Sequence, residues 1–281
     1  MKEHQTKYSL QMMSRAYRVS RSGYYAWINR QESQRELDNQ TLIKYILKAH
    51  QDSHGIYGSP RITEILHRQG IGASENRIAR LMQREGIIGR IHTKKKRAPS
   101  IVDVIKKTNN KRLITPAPTG INQVWVGDVT YLRHQKRWWY LAVVMDLYSR
   151  KVIGWSLEKY RKKELTIEAL QHALVNRRPK NKMIFHSDRG VEYGAGKYRE
   201  VLEKHSIQPS MNRPGHCTDN AHMESFFHSI KGEWLRGEKY DTVDALRKAV
   251  RDYIVNFYNR KRLHSSLNYC SPNEFERQNI H

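Results

Sequence analysis

Cysteine is nearly absent. The 281 residues contain two, Cys217 and Cys270. No CxxC pair or His/Cys quartet occurs, which argues against a structural zinc site. Two lone thiols suit a reducing compartment. No run of about 18 apolar residues is present, so no segment is expected to span a membrane. The opening Met1–Lys7 has no apolar signal core behind it, so the expected address is the cytoplasm. No leucine heptad runs through three or more turns, which excludes a long coiled coil. Acid is scarce too, with 27 Asp+Glu against 51 Lys+Arg and a net charge of +24.

Such an excess points to a polyanionic partner bound through phosphate contacts and counterion release. Nucleic acid is the first candidate, and an anionic membrane surface the weaker rival. The excess is uneven. Residues 1–120 carry 23 Lys+Arg and 9 Asp+Glu, and residues 121–281 carry 28 and 18. Most of the aromatic, β-patterned sequence lies in the second part. The contrast predicts DNA-binding modules followed by a larger domain: a helix-turn-helix-like segment over 1–35, a helical DNA-binding domain over 36–90, a basic linker over 91–120 and a core over 121–281.

Residues 8–28 read as two short helices with a turn at Arg18-Val19-Ser20 and Ser20 as N-cap. This is helix-turn-helix size, and a packing hairpin that touches no DNA fits equally well. Residues 36–51 form an amphipathic helix with Leu42, Ile43, Ile46 and Leu47 on one side. Ser59-Pro60 starts the next helix, which Gly70 stops. Ser74 caps a further one over 75–85, stopped by Gly86. In it Ile78, Leu81 and Met82 face inward. Arg77, Arg80 and Arg84 are expected on an exposed face that reaches a groove and its phosphates, with Arg61 as a further contact. In the linker, Lys94, Lys95, Lys96 and Arg97 form a basic strap, and Pro99, Pro116 and Pro118 oppose a continuous helix.

From Asn122 the texture is β-branched and aromatic. Residues 124–132, 137–147 and 151–157 read as strands, with Trp138, Trp139 and Tyr140 as sheet residues. A helix over 163–176, a strand over 182–186, a helix over 195–206, a strand over 207–211 and helices over 219–236 and 243–258 follow. The order βββαβαβαα is that of an α/β ribonuclease-H-like fold. It is a mixed five-stranded sheet flanked by helices, here preceded by small all-α modules.

Three acids stand out in this basic chain: Asp128 in Trp-Val-Gly-Asp-Val-Thr-Tyr, Asp188 in Ile-Phe-His-Ser-Asp-Arg-Gly, and Glu224 in Asp-Asn-Ala-His-Met-Glu-Ser-Phe-Phe. Asp128 falls within the first strand, Asp188 just after the fourth, and Glu224 on a helix opened by Asp219 or Asn220. Two hard cations such as Mg²⁺ take carboxylate oxygens and water, and two-metal phosphoryl transfer needs such acids from separate elements. At about 100° per residue, Lys231 returns to within about 20° of Glu224 and roughly 10 Å along the helix. Asn220, Glu224, His228 and Lys231 would then share one face, and Lys231 and Asn220 would meet DNA. His186, two residues before Asp188, is a candidate DNA contact; for it and His228 a ligand or proton-carrier role and hydrogen bonding near the site are the other readings. Tyr258, Arg260, Arg262 and His264 form a polar tail that could also touch DNA.

The chain resembles the OrfB-type transposases of the IS-three family of bacterial insertion sequences, which have a retroviral-integrase-like DDE core. The matching stretches are Val-Ser-Arg-Ser-Gly-Tyr-Tyr-Ala-Trp at 19–27, Tyr-Gly-Ser-Pro-Arg-Ile at 57–62, the three acidic motifs, and Tyr-Asn-Arg-Lys-Arg-Leu-His-Ser-Ser-Leu-Asn-Tyr-Cys-Ser-Pro at 258–272. They keep the family's order over nearly the whole chain. Val191–Gly196 departs from the Ser-Gln-Tyr-type run that the family more often has, and Cys217 and Thr218 replace small polar residues.

The resemblance implies that Asp128, Asp188 and Glu224 are catalytic and hold two Mg²⁺ ions, with Mn²⁺ as substitute, and that Lys231 is the basic residue after the glutamate. It implies binding to terminal inverted repeats, 3′-end cleavage and strand transfer into target DNA through a circular intermediate, at the bacterial nucleoid. The expected partners are double-stranded DNA at element ends and target, further copies of the chain assembled on DNA, and an upstream-frame protein, fused or separate. No membrane is expected among them. A DNA-binding regulator or targeting subunit without its own catalysis, and a structure-specific nuclease, are the alternatives.

Overall fold

Local chemistry sets the N-terminal helices. In a computed structural model that describes residues 1–90, 116–179, 182–212 and 220–279, the chain divides into two units, Met1–Ile88 and Gly89–His281. In the first, α1 (Leu10–Ala16) and α2 (Arg21–Ile28) form a hairpin. Ser9 and Ser20 cap them by accepting from the backbone N–H groups of Met12 and Gly23, and Arg18 turns the chain at φ +52°. Next, α3 (Gln34–Asp52), α4 (Ser59–Arg68) and α5 (Glu75–Arg84) pack on one another. Pro60 sits in the first turn of α4, where its missing N–H costs nothing. Ser74 caps α5 by accepting from Arg77 N–H. The turns after α4 and α5 need positive φ, supplied by Gly70 and Gly86.

The expected inward stripe of α3 is partly corrected. Leu42, Ile46 and Ala49 are buried, whereas Leu47 is 40% exposed. The buried face steps by four and three residues, and Leu47 lies off that stripe. On α5, Ile78, Leu81 and Met82 are buried as expected.

The second unit is built on β1 (Val124–His134), β2 (Arg137–Asp146), β3 (Val152–Glu158), β4 (Met183–Ser187) and β5 (Ile207–Met211). They form one sheet in the order β3-β2-β1-β4-β5. β1–β2–β3 is an antiparallel meander, while β4 runs parallel to β1 and β5 parallel to β4. This is the ribonuclease-H-like arrangement that the order of elements predicts. α6 (Lys163–Arg177) covers β2 and β3 on one face. Leu165, Ala169, Leu170 and Ala173 pack there on Ala142, Val144 and Ile153. The helix approaches so closely that a Cβ on Gly154 would overlap the Ala169 carbonyl oxygen and lie 2.7 Å from Ala173 N.

Beyond β4 come a short helical turn, α7 (Val191–Gly194), and α8 (Gly196–Lys204). The Val191–Gly196 segment, which departs from the family pattern, is therefore helical at its start. α9 (Ala221–Ser229) packs on β1 and continues as a π-helical stretch over Ile230–Leu235. α10 (Val243–Arg251) continues likewise over Asp252–Tyr258, and α11 (Pro272–Asn279) follows.

Candidate active site

Strand register brings two of the three acids together. Gly127 pairs with Ser187 across the parallel β1–β4 ladder; Asp128 follows on β1, and Asp188 follows just past the end of β4. Neighbouring strands lie about 4.8 Å apart, so both carboxyls leave the sheet at one level. Backbone N–H groups orient each acid: Val129 N–H donates to Asp128 Oδ1 at 2.7 Å, and Gly190 N–H to Asp188 Oδ1 at 2.9 Å. Glu224 comes from α9. The start of that helix is tied to β1 by Asn220, whose Nδ2 donates to the Gly127 carbonyl at 3.1 Å.

Electrostatics report the same convergence. The Asp128 carboxyl is pushed up to about 7, first by burial, then by the charge of Asp188, with Glu224 adding to it. Asp188 is raised by burial, with Glu192 adding and the Gly190 hydrogen bond and Arg161 opposing. Holding these acids ionised together therefore costs free energy, which a nearby positive charge would relieve.

Lys231 is half-buried beside β1, with its Nζ 4.5 Å from the centre of the Tyr131 ring. Burial lowers its pKa. Lys231 does not share the α-helical face of Glu224 as expected, because α-helical geometry ends at Ser229 and Lys231 lies in the wider π-helical turn. There the advance per residue is smaller than 100°.

Two candidate DNA contacts are buried. His186 has no exposed surface. Its Nδ1 pairs with Ser210 Oγ at 2.9 Å and its Nε2 with Asn212 Oδ1 at 2.7 Å, which ties β4 to β5 and the residue after it. The hydrogen-bonding reading of this histidine is the one the structure bears out. Asn220 is likewise buried and serves the α9–β1 junction instead of facing solvent.

The polar tail is corrected similarly. Tyr258 is buried, and Arg262 is buried in a side-on pair with Glu233 at 2.6 and 2.7 Å. Tyr253 Oη and Ser229 Oγ complete that cluster. It locks the tail to the end of the helix that carries Glu224. Arg260 is exposed.

In the N-terminal unit, Arg77 is half-buried and donates twice to Asn39 Oδ1, at 3.0 and 2.8 Å. Arg84 pairs with Glu36 at 2.9 Å and with Glu85 at 3.0 Å. Arg61 lies over the Tyr57 ring. Arg80 is exposed, with its Nε on the Asn76 carbonyl at 3.2 Å. Lys94, Lys95, Lys96 and Arg97 lie outside the described residues, as do Cys217, Thr218 and Asp219.

Sequence reasoning missed Arg161 and Glu192 as neighbours of the acids. Arg161 is one of several basic residues over 159–163, with no local mark. Glu192 showed only as a departure from the family pattern.

Three family models match the chain. An integrase core domain matches residues 118–217 and a second integrase core model residues 205–272, while an HTH-like domain matches residues 36–95. Transposase InsF for insertion sequence IS3A of Escherichia coli K12 is 38% identical, over 100% of this chain and 98% of the relative. The insertion element IS600 31 kDa protein of Shigella sonnei is 37% identical over 94% of this chain and 97% of the relative. Among solved structures, the HTLV-2 integrase catalytic core domain in complex with magnesium overlays at a TM-score of 0.42 and 20% identity, over 55% of this chain and 96% of that one. The chain belongs to the IS3 family of insertion-sequence transposases, with an HTH-like module ahead of an integrase core.

Proposed function

We propose that this transposase works as a DDE polynucleotidyl transferase with Asp128, Asp188 and Glu224 as its catalytic acids. It binds the terminal inverted repeats, cleaves one strand to free a 3′-hydroxyl, and joins that hydroxyl in-line to a second phosphodiester. The observation that carries this reading is the β1–β4 register that sets Asp128 level with Asp188, with the start of the Glu224 helix tied to the same strand by Asn220.

The donor set fits divalent cations. All three side chains are hard oxygen donors, and their mutual repulsion is what a cation removes. Among the described residues no three His, Cys, Asp or Glu side chains form a ready cage for one ion. Mg²⁺ takes one or two carboxylates and fills its shell with water and phosphate oxygens. Asp128, Asp188 and Glu224 would hold two such ions, Mg²⁺ or Mn²⁺, which when bound activate the attacking oxygen and stabilise the leaving one.

The chain's own residues supply orientation. Gly190 N–H fixes Asp188. Asn220 holds the helix of Glu224 against β1. Lys231, braced on Tyr131, offers a cation for DNA at the margin of the site. Arg80 on α5 is the groove-facing contact of the HTH-like module, with Arg61, Arg77 and Arg84 beside it, and the linker strap tracks phosphates. Two DNA ends must be held at once, so the working form on DNA is a dimer or larger.

Strand cleavage and joining on labelled DNA bearing the element's ends, with Mg²⁺ or Mn²⁺, tests this. Wild type should give metal-dependent joined product, and Glu224→Gln should lose it by about a thousandfold or more with end binding intact. Wild type that binds ends yet makes no product, even when fused to the upstream frame, would be a DNA-binding regulator instead.

A further inference from the structure

Arg161 lies between β3 and α6, in a run of basic residues from which the sequence does not single it out. Its neighbours Lys159 and Lys162 both turn onto the Tyr160 ring, with their Nζ atoms 5.2 and 5.4 Å from its centre. Arg161 turns the other way. Its Nε and Nη2 converge on one oxygen of Glu192, at 2.8 and 2.6 Å. Glu192 is only 3% exposed. Its carboxylate occupies the space that a Cβ on Gly190 would need, with its three outer atoms 2.7–2.9 Å away. Gly190 N–H in turn donates to Asp188 Oδ1. Asp188 is thus hydrogen-bonded to Gly190, the Glu192 carboxylate lies against Gly190, and Arg161 is paired with Glu192.

The arginine is only half used. Its side chain keeps 44% of its surface in solvent, and among the described residues Glu192 alone takes its hydrogen bonds. Among the described residues the second Glu192 oxygen is buried without a partner, so the pair lacks the side-on, two-oxygen form that would satisfy both groups. Among the described residues the Nη1 donors of the guanidinium take no acceptor. Its charge reaches both Asp128 and Asp188 and opposes their upward shifts.

We propose that Arg161, anchored by Glu192, is a phosphate-contacting residue of the strand-transfer site, gripping a non-bridging oxygen of the DNA phosphodiester next to the acids with its Nη1 donors. This rests on the polynucleotidyl-transfer reading above. A planar, permanently charged fork matches phosphate geometry. Anchoring one edge on a buried carboxylate reduces the side-chain freedom lost when DNA arrives. Glu192 is then a positioning residue. It holds Arg161 in place and touches no DNA itself.

The test uses the full chain and duplexes bearing the element's ends. Binding is measured in EDTA as a function of salt for wild type, Arg161→Gln, and the double variant Arg161→Gln/Glu192→Gln. The double variant leaves no buried carboxylate stranded, so it keeps the test valid if the single variant folds poorly. Losing one phosphate contact should flatten the dependence of log K on log salt by about 0.9. A neutral methylphosphonate is then scanned through the phosphates around the cleavage point. At the contacted phosphate it should weaken wild type but leave the variants unchanged, whereas elsewhere the effects should add. Glu192→Gln alone should slow joining more than it weakens binding, and Arg161→Lys should restore the salt slope but only part of the joining rate. Wild type that joins ends while the variants keep the full slope, with additive effects at every phosphate, overturns the assignment of Arg161 alone. Wild type that makes no metal-dependent product overturns the transfer reading, and this assignment with it.

Discussion

Replacing Asp128 with asparagine should stabilise the metal-free protein above neutral pH while abolishing its chemistry. The Asp128 carboxyl titrates at about 7 in the fold, against an ordinary value of 3.8. Between those pH values the folded chain holds a proton that the unfolded chain has released. Stability therefore falls as pH rises through this window, and the loss is complete above about 7. A shift of roughly three units corresponds to an upper bound on the order of 4 kcal/mol. Relaxation and solvent at a half-buried, coupled site make about 2 kcal/mol the working figure. Asparagine has no proton to lose and escapes this cost. For a domain of this size about 2 kcal/mol moves Tm by roughly 4–8 °C. Scanning calorimetry of the core transition in EDTA should show that gain at pH 8 and little of it at pH 4.5. On the proposed two-cation reading, Mg²⁺ should then raise Tm for wild type more than for the variant, which would have one anionic ligand fewer. A variant no more stable than wild type at pH 8, or equally favoured at both pH values, would refute the electrostatic argument.

Other perturbations probe the scaffold. Gly154→Ala should cost about 3 kcal/mol by driving a methyl into the α6 backbone, and an unchanged urea midpoint would show that the helix can retreat freely. Arg262→Met should cost about 3–5 kcal/mol by stranding Glu233, with much of the loss recovered when Glu233 is also made Met. A double variant as unstable as the single one would count against that account. His186→Phe should cost about 2 kcal/mol by unpairing Ser210 and Asn212. Its folded fraction should keep the wild-type salt slope for DNA, and a flatter slope would return His186 to the DNA-contact set.

Much of the fold was legible in the chain. Ser20 and Ser74 announced helix starts, and Gly70 and Gly86 announced stops, because capping and positive φ are settled within a few residues. The antiparallel meander followed from β-branched runs at close spacing. Boundaries slipped by one or two residues, as at β1, which runs on to His134. The π-helical turns after Ser229 and Arg251 had no sequence mark, since a widened turn reflects what the helix packs against.

The polar residues divide more sharply. Asp128, Asp188 and Glu224 could be picked out because three acids in a strongly basic chain, each at a predictable place on a strand or helix, call for an explanation. The sequence by itself thus determined the elements, their order and the candidate acids, all of which depend on local periodicity and charge. Only the tertiary structure decided which polar groups face solvent. It buried His186 and Asn220, and it joined Arg161 to Glu192 and Arg262 to Glu233 across 31 and 29 residues. Such partners are selected by desolvation: a buried charge or ring nitrogen must find its complement within about 3 Å, and no spacing along the chain encodes where that complement comes from.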